Sequence, residues 1–371
     1  MNLQPPPIPS AEPIPLPAPA WILELFLLVT FLLHIVAMNC VVGGSLIALV
    51  ARLRGSSEMR RLANDLARKI PALLAATITL GIAPLLFVQT LYGQFFYSSS
   101  ALMAWSWFAV ILILTVAYYG FYVLAFHAQN AEKSRSRQTW IALGTLVLVL
   151  TIAFIYTNNL TLMLQPETWM AKYRANTAGL NLNLGDPSLF PRYFHTLIGA
   201  TAIGGLFVVA IGLARWKSDR DDARFLMRHG AHWFVGATMT QFIVGTWFLI
   251  ALPYENMLVY LGGRLEATAL FLIAIAAALS AVFAFLLVMR GQSEKRMAVI
   301  GMTLAGVVMV AMDLMRDVLR RESLSLYLSP ESFRAQPQWD VLGIFLALFA
   351  GSVALWVGML RRYFRSAKVR G

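Results

Sequence analysis

Long stretches in which nearly every position is apolar, separated by short polar and basic segments, run the length of this chain. Runs with few or no charged residues predict nine helices, at about 21–50, 71–96, 101–127, 138–163, 193–214, 230–252, 259–289, 297–319 and 341–360. Each is close to the roughly twenty residues that an α-helix needs to cross a hydrocarbon core. No charge occurs between Ile70 and Ala131, so the second and third helices are divided only by a turn expected between Tyr92-Gly93-Gln94 and Ser98-Ser99-Ser100. The eighth run differs from the rest. Only the uncharged residues Met297 to Met312 precede Asp313, Arg316, Asp317 and Arg320, so a full crossing draws the first of these charges into the membrane edge.

The pattern repeats. His34 to Gly44 reads His-Ile-Val-Ala-Met-Asn-Cys-Val-Val-Gly-Gly, and His195 to Gly205 reads His-Thr-Leu-Ile-Gly-Ala-Thr-Ala-Ile-Gly-Gly, 161 residues later. Ala76-Thr77-Ile78-Thr79 recurs at the same offset as Ala237-Thr238-Met239-Thr240, and Thr145-Leu146 has an echo in Thr303-Leu304, three residues out of step. A register held across two segments indicates an internal duplication. Four helices return the chain to its starting side, so helices one to four and five to eight are expected as parallel repeats about an axis along the membrane normal, with a ninth helix appended. The predicted organisation is a Pro-rich external tail over 1–20, a first four-helix repeat over 21–164, an external loop over 165–192, a second repeat over 193–322, an external loop over 323–340, and a ninth helix with a basic cytoplasmic tail over 341–371.

Composition agrees with an all-α, multi-pass membrane protein: 59% of the 371 residues are apolar and 13% charged. The net charge of +12 is mainly an orientation signal. With the amino terminus outside, the segments 51–69, 128–139, 215–228, 290–296 and 361–371 lie inside and hold 22 of the 30 lysines and arginines. The positive-inside rule therefore selects an outside amino terminus and a cytoplasmic carboxyl terminus, as in a bacterial inner membrane. Basic residues dispersed over short loops do not make a nucleic-acid footprint. Arg52 to Lys69 reads as a solvated loop, with a basic surface helix as the alternative. The single cysteine, Cys40, allows no internal disulfide, and no Cys-x-x-Cys-His occurs, so no ordinary covalent c-type haem site is present.

Five histidines carry the candidate chemistry. An imidazole in a nearly charge-free span needs a partner. For His34 and His195 that partner is either a haem iron, admitted beside Gly43, Gly44, Gly199 and Ala202, or a Ser or Thr on a neighbouring helix. His127, His229 and His232 fall at the inner helix ends, where solvated interfacial histidines are usual; the alternative is an inner haem between His127 and His232. On the eighth helix, spacings of three pair Asp313 with Arg316 and Asp317 with Arg320. Such pairs are either structural or a site in which the acids take part in the chemistry and the arginines hold haem propionates. The aromatic residues are expected mainly against lipid and at the interfaces.

The nine helices, Leu33-His34, the segment Pro191-Arg192-Tyr193-Phe194-His195-Thr196 and the stretch Asn158 to Trp169 together resemble the first subunit of the cytochrome bd quinol oxidases, as a divergent member. That resemblance implies haem ligation by His34 and His195 toward the outer face, and oxidation of a membrane quinol. The family's acid followed three residues later by arginine is matched by Asp317 and Arg320, where the functional reading makes Asp317 a weak iron ligand or proton acceptor, and Arg192, within the matched segment, is a further cofactor-binding candidate. Three departures stand out. The third helix, Ala101 to His127, has no acid where the family carries glutamates. The connection Pro253 to Leu258 replaces a long quinol-binding loop. Glu266, two residues after Arg264, stands where the family has a methionine ligand, which leaves Met257 as a candidate and Arg264 as a propionate partner.

The expected function is a membrane-embedded b-type cytochrome subunit, with one to three haems b, that carries electrons between a quinol and a partner redox protein at the outer face. The alternatives are a bd-type oxygen reductase subunit and a haem-less scaffold of a larger complex. Expected partners are lipid, quinol and further subunits, including a c-type and plausibly multihaem cytochrome docked on Leu162 to Arg192 or Glu322 to Asp340.

Overall fold

A helix in hydrocarbon satisfies its backbone within itself, so its neighbours are chosen by packing and by the few polar groups it carries. The structure, a computed structural model, describes residues 15–129, 135–328, 330 and 333–366. The Pro-rich tail as far as residue 14, part of the loop after the third helix and the basic tail beyond Ser366 lie outside the described residues. The helices are α1 (Ala20–Arg54), α2 (Ser57–Leu102), α3 (Ala104–Gln129), α4 (Arg135–Met163), α5 (Trp169–Ala175), α6 (Leu189–Arg215), α7 (Arg220–Ile250), α8 (Tyr254–Leu258), α9 (Leu265–Met289), α10 (Glu294–Leu324) and α11 (Trp339–Ser366). All but the short α5 and α8 are long and apolar enough to cross a membrane, which gives nine spans among the described residues and no strands. Below, the near end of the bundle is where α1 begins and the far end is where it finishes.

The predicted duplication is visible in the pairing of helices. α1 packs along α2 as α6 packs along α7; α3 pairs with α4 as α9 pairs with α10; α2 touches α3 as α7 touches α9. The two sets meet through α1 and α6. There Gly43 and Gly204, one repeat length apart, lie backbone to backbone: a Cβ on Gly43 would stand 2.9 Å from Gly204 Cα, and one on Gly204 would stand 2.7 Å from Gly43 Cα. A residue can touch its own repeat partner only at the axis relating the copies. The pseudo-two-fold therefore passes through this crossing.

Helix boundaries depart from expectation where charges are compensated. The segment expected as a solvated loop after α1 is the start of α2. Ser56 caps it, its Oγ accepting from the Met59 amide at 3.3 Å, and Leu62, Leu66 and Ile70 are buried on one face. Asp65 and Lys69 bury with them because they pair with each other and Asp65 also receives Arg215 at 2.6 Å. α7 likewise starts early, at Arg220, with Asp219 capping the Asp222 amide at 3.0 Å. Near it, Glu294 at the start of α10 receives Arg224 at 3.1 Å and Arg228 at 2.7 Å. These pairs fasten the far ends of α2, α6, α7 and α10.

The turn between α2 and α3 is at Met103 rather than around residues 92 to 100. Tyr92 leaves helical geometry (φ −130°, ψ 28°) as a kink inside α2. The loop after α4 holds the true turn, where the Asn181 amide donates to the Leu102 carbonyl at 3.0 Å and the Trp105 amide to the Gly179 carbonyl at 3.2 Å. Gly179 has φ +73°, a backbone that favours glycine there. α11 is peripheral. Its approach is fixed by the segment before α1, through Gln336 and Gln338 amides that donate to the Leu16 and Pro17 carbonyls at 2.8 Å each.

Candidate functional site

Because Gly43 and Gly204 are in contact and α1 and α6 run in the same direction, His34 and His195, each nine residues nearer the near end, stand level on either side of the axis. At about 1.5 Å per residue both rings lie roughly 13 Å from the crossing. Each turns toward the second helix of its own repeat. His34 meets α2, where a Cβ on Gly81 would stand 2.8 Å from its Cε1. His195 meets α7, where a Cβ on Gly245 would stand 3.2 Å from its Cε1. Glycine at both places makes room for the imidazoles.

The rings differ in their bonding. His34 Nδ1 lies 2.9 Å from the Thr77 carbonyl oxygen. A carbonyl only accepts, so Nδ1 carries the proton and Nε2 keeps its lone pair, the arrangement in which metal-binding histidines are held. His195 Nδ1 is buried without a hydrogen-bond partner, as are Arg192 Nε and Gln241 Oε1. Gln241 is anchored by its amide, which donates to the His195 carbonyl at 2.8 Å. Arg192 lies over the Phe248 ring at 4.7 Å, and the His195 ring is 5.7 Å from the same ring. Three polar atoms around the Phe248 ring are thus without a partner, at about 1–3 kcal/mol each.

The charges of α10 gather beside these histidines. Asp317 and Arg320 are 5% and 3% exposed, so their pairing is a buried one. Arg321 also reaches Asp317, at 2.8 Å, and bridges to Glu24 of α1 at 2.7 Å. Arg320 stacks over Tyr92 at 4.6 Å. One turn deeper, Arg316 lies 4.0 Å from Asp313 and 3.6 Å above the ring of Phe31, which is one turn from His34. Asp313 Oδ1 is buried without a hydrogen bond. The expected spacing-three pairs are thus present, but Asp317 serves two arginines and ties the second repeat to the first. Glu24, Arg321 and Tyr92 were not singled out from sequence. Arg321 had a signal, being four residues from Asp317 on the same face; Tyr92 had none beyond its place in a charge-free run.

The remaining predicted residues are dispersed. Arg264 pairs with Glu322 at 2.7 Å near the start of α9, while Glu266 is exposed and takes no part in that pair. Met257 packs in a cluster with Leu252, Val259 and Tyr260 that also takes in Phe248, the ring beside His195. Tyr260 donates to the Met315 carbonyl at 2.7 Å, and burial raises its phenol above the ordinary range, so it stays a neutral donor. At the far end, His127 Nδ1 meets the Val123 carbonyl at 2.6 Å and His232 Nδ1 the Arg228 carbonyl at 2.7 Å. His229 Nε2 accepts from Trp233 at 3.1 Å. Each is bonded within its own helix, and α3 and α7, which carry His127 and His232, pack in different repeats.

A haem iron is the group that the sequence resemblance implies. The donor set at His34 and His195 fits it: one imidazole with its tautomer fixed for Nε2 ligation, one with an unpaired ring nitrogen beside a buried guanidinium. At Asp317 the fit is poor, because two arginines occupy the carboxylate.

No protein-family model matches the sequence, and no curated protein matches it. Among solved structures the chain is similar to bd oxidase from Geobacillus thermodenitrificans, with a TM-score of 0.70 and 13% identity over 95% of this chain and 100% of that one. At that identity the likeness shows the fold: this is a multi-pass helical membrane protein with the fold of a bd oxidase chain.

Proposed function

We propose that the chain is a membrane-embedded b-type cytochrome subunit that carries electrons between a quinol and a partner redox protein at the outer face. The observation that carries this reading is the pair His34 and His195, level across the repeat axis, each keeping a ring nitrogen suited to iron. The similarity in fold to a bd oxidase supports it. Bound haem would supply a one-electron carrier, and His34 and His195 would hold it. Arg192, whose Nε is unpaired, and Arg316, beside Phe31, would offset propionate charge. The near end corresponds to the outer face, because the basic segments between spans lie at the far end. A c-type cytochrome would then dock on the near-end loops, where the short 3-10 helix Pro166–Thr168 and α5 are found.

Oxygen reduction is the weaker reading. It needs protonatable groups beside the reacting iron, yet α3 carries no acid and Asp317 is taken up by Arg320 and Arg321. The test is anaerobic mixing of purified protein with a soluble quinol. The proposal expects reduced b-type haem bands, reoxidised by a soluble c-type cytochrome faster than by oxygen. Absence of haem bands would leave the scaffold reading, and rapid reoxidation by oxygen alone would favour the reductase.

A further inference from the structure

One face of α7 holds His195. Gln241, Gly245 and Phe248 follow one another at spacings of four and three, so they share that face. The Gln241 amide donates to the His195 carbonyl at 2.8 Å, a Cβ on Gly245 would stand 3.3 Å from His195 Nδ1, and the Phe248 ring is 5.7 Å from the imidazole. The Nδ1 edge of the ring is thus turned to α7, one turn from Gln241. The glutamine amide has a fixed sense. A carbonyl only accepts, so Nε2 is the atom on the His195 oxygen and Oε1 is left as an acceptor. Gly199 of α6 makes room for this approach, since a Cβ there would stand 3.3 Å from Gln241 Nε2.

The first repeat supplies the comparison. His34 Nδ1 donates to the Thr77 carbonyl, and Thr77 stands four residues before Gly81 as Gln241 stands four before Gly245. In the 161-residue register Gly81 corresponds to Phe242, so α7 meets its histidine nearly one turn later than α2 does, and a glutamine arrives at the place of Thr77. There His195 Nδ1 has no partner, and neither has Gln241 Oε1. The two are complementary, because a histidine that binds a metal through Nε2 carries its proton on Nδ1 and needs an acceptor for it. Arg192 Nε, the third unpartnered atom, only donates, which leaves Oε1 as the acceptor among them.

We propose that Gln241 is the positioning residue for His195: its Oε1 accepts a hydrogen bond from Nδ1–H of an imidazole that binds iron through Nε2, while its amide holds the main chain of the same residue. The proposal rests on the b-type cytochrome reading above. It gives the two histidines unlike acceptors, a main-chain carbonyl for His34 and a side chain for His195. A bond accepted from Nδ1 makes an imidazole more basic and so favours the ferric state of the metal it holds. The potential at His195 is therefore set by one replaceable side chain.

The test is a redox titration of the full chain and two variants. Gln241→Leu removes the donor and the acceptor, whereas Gln241→Glu keeps an acceptor and gives up the amide donor. The haem component lost in His34→Ala serves as the internal reference. In Gln241→Leu the His195 haem should become easier to reduce, with its affinity, read by transfer to apomyoglobin, lowered about 10- to 100-fold. In Gln241→Glu it should be retained and become harder to reduce, and the reference haem should stay unmoved in both. Gln241→Met, closer in shape to glutamine, repeats the first arm should Gln241→Leu fold poorly. A brace between α6 and α7 needs only the amide, so it would make the variants behave alike. Shifts of the same sign, or no shift in a haem that is present, would overturn the inference and leave the cytochrome reading standing. A colourless chain that takes up no added haemin would overturn both.

Discussion

Gly43 on α1 and Gly204 on α6 touch each other across the repeat axis, with a Cβ on Gly204 falling 2.5 Å from the Gly43 carbonyl carbon. Even a methyl group at either place must push the two helices apart. Gly43→Ala and Gly204→Ala should each destabilise the protein by about 1–3 kcal/mol, the range for overpacking. Gly44→Ala is the control, because its nearest neighbour would be a Phe207 ring carbon at an ordinary 3.5 Å. Thermal unfolding in detergent measures the difference, and equal melting temperatures for Gly43→Ala and Gly44→Ala would contradict the placement of the axis.

The glycines beneath the imidazoles give a graded prediction. A Cβ on Gly81 would stand 2.9 Å from His34 Nδ1, whereas one on Gly245 would stand 3.3 Å from His195 Nδ1. Gly81→Ala should displace His34 and remove one haem per chain, while Gly245→Ala should shift a spectrum and keep its haem. Haem-to-protein ratios check this. A larger loss in Gly245→Ala would mean that the rings are placed otherwise.

Asp317, 5% exposed, holds two arginines. Asp317→Ala leaves Arg320, 3% exposed, without its counter-charge and should cost about 3–5 kcal/mol. Glu294→Gln should cost less, since Arg224 and Arg228 at the far end are 43% and 46% exposed and can turn to solvent. Denaturation of the two variants ranks them. A double-mutant cycle between Asp317 and Glu24 should show coupling, because Arg321 bridges both.

Much of the architecture was legible because a bilayer admits few solutions. Charge-free runs gave the nine spans, and the 161-residue register of His34 with His195 gave the repeat that the helix pairing displays. The sequence misplaced charged helix ends. Arg52 to Lys69 looks like a loop until Arg215, 150 residues away, is seen to share Asp65. The site was legible in its ligands and not in its surroundings. Arg192 and His195 stand in one motif, but Gln241, whose Oε1 has no partner, and the ring of Phe248 come from α7, and no local pattern announces them. Relative depth was also hidden. Counting from the nearest charge sets His195 just inside the boundary and His34 well below it, whereas the Gly43 and Gly204 contact makes them level.

Loss of Arg192 should act on potential more than on occupancy. Its guanidinium lies on Phe248 beside His195, so Arg192→Gln removes a fixed positive charge from that site and keeps the imidazole. One haem should become harder to reduce while its content stays unchanged, as read by a redox titration. Loss of haem altogether would instead make Arg192 part of the fold of α6.

The pyridine haemochrome spectrum of the purified chain, taken alongside His34→Ala and His195→Ala, tests the central claim most directly. The account predicts b-type haem in the native protein and the loss of a different haem component in each variant. A colourless native protein, or spectra that neither substitution changes, would contradict it.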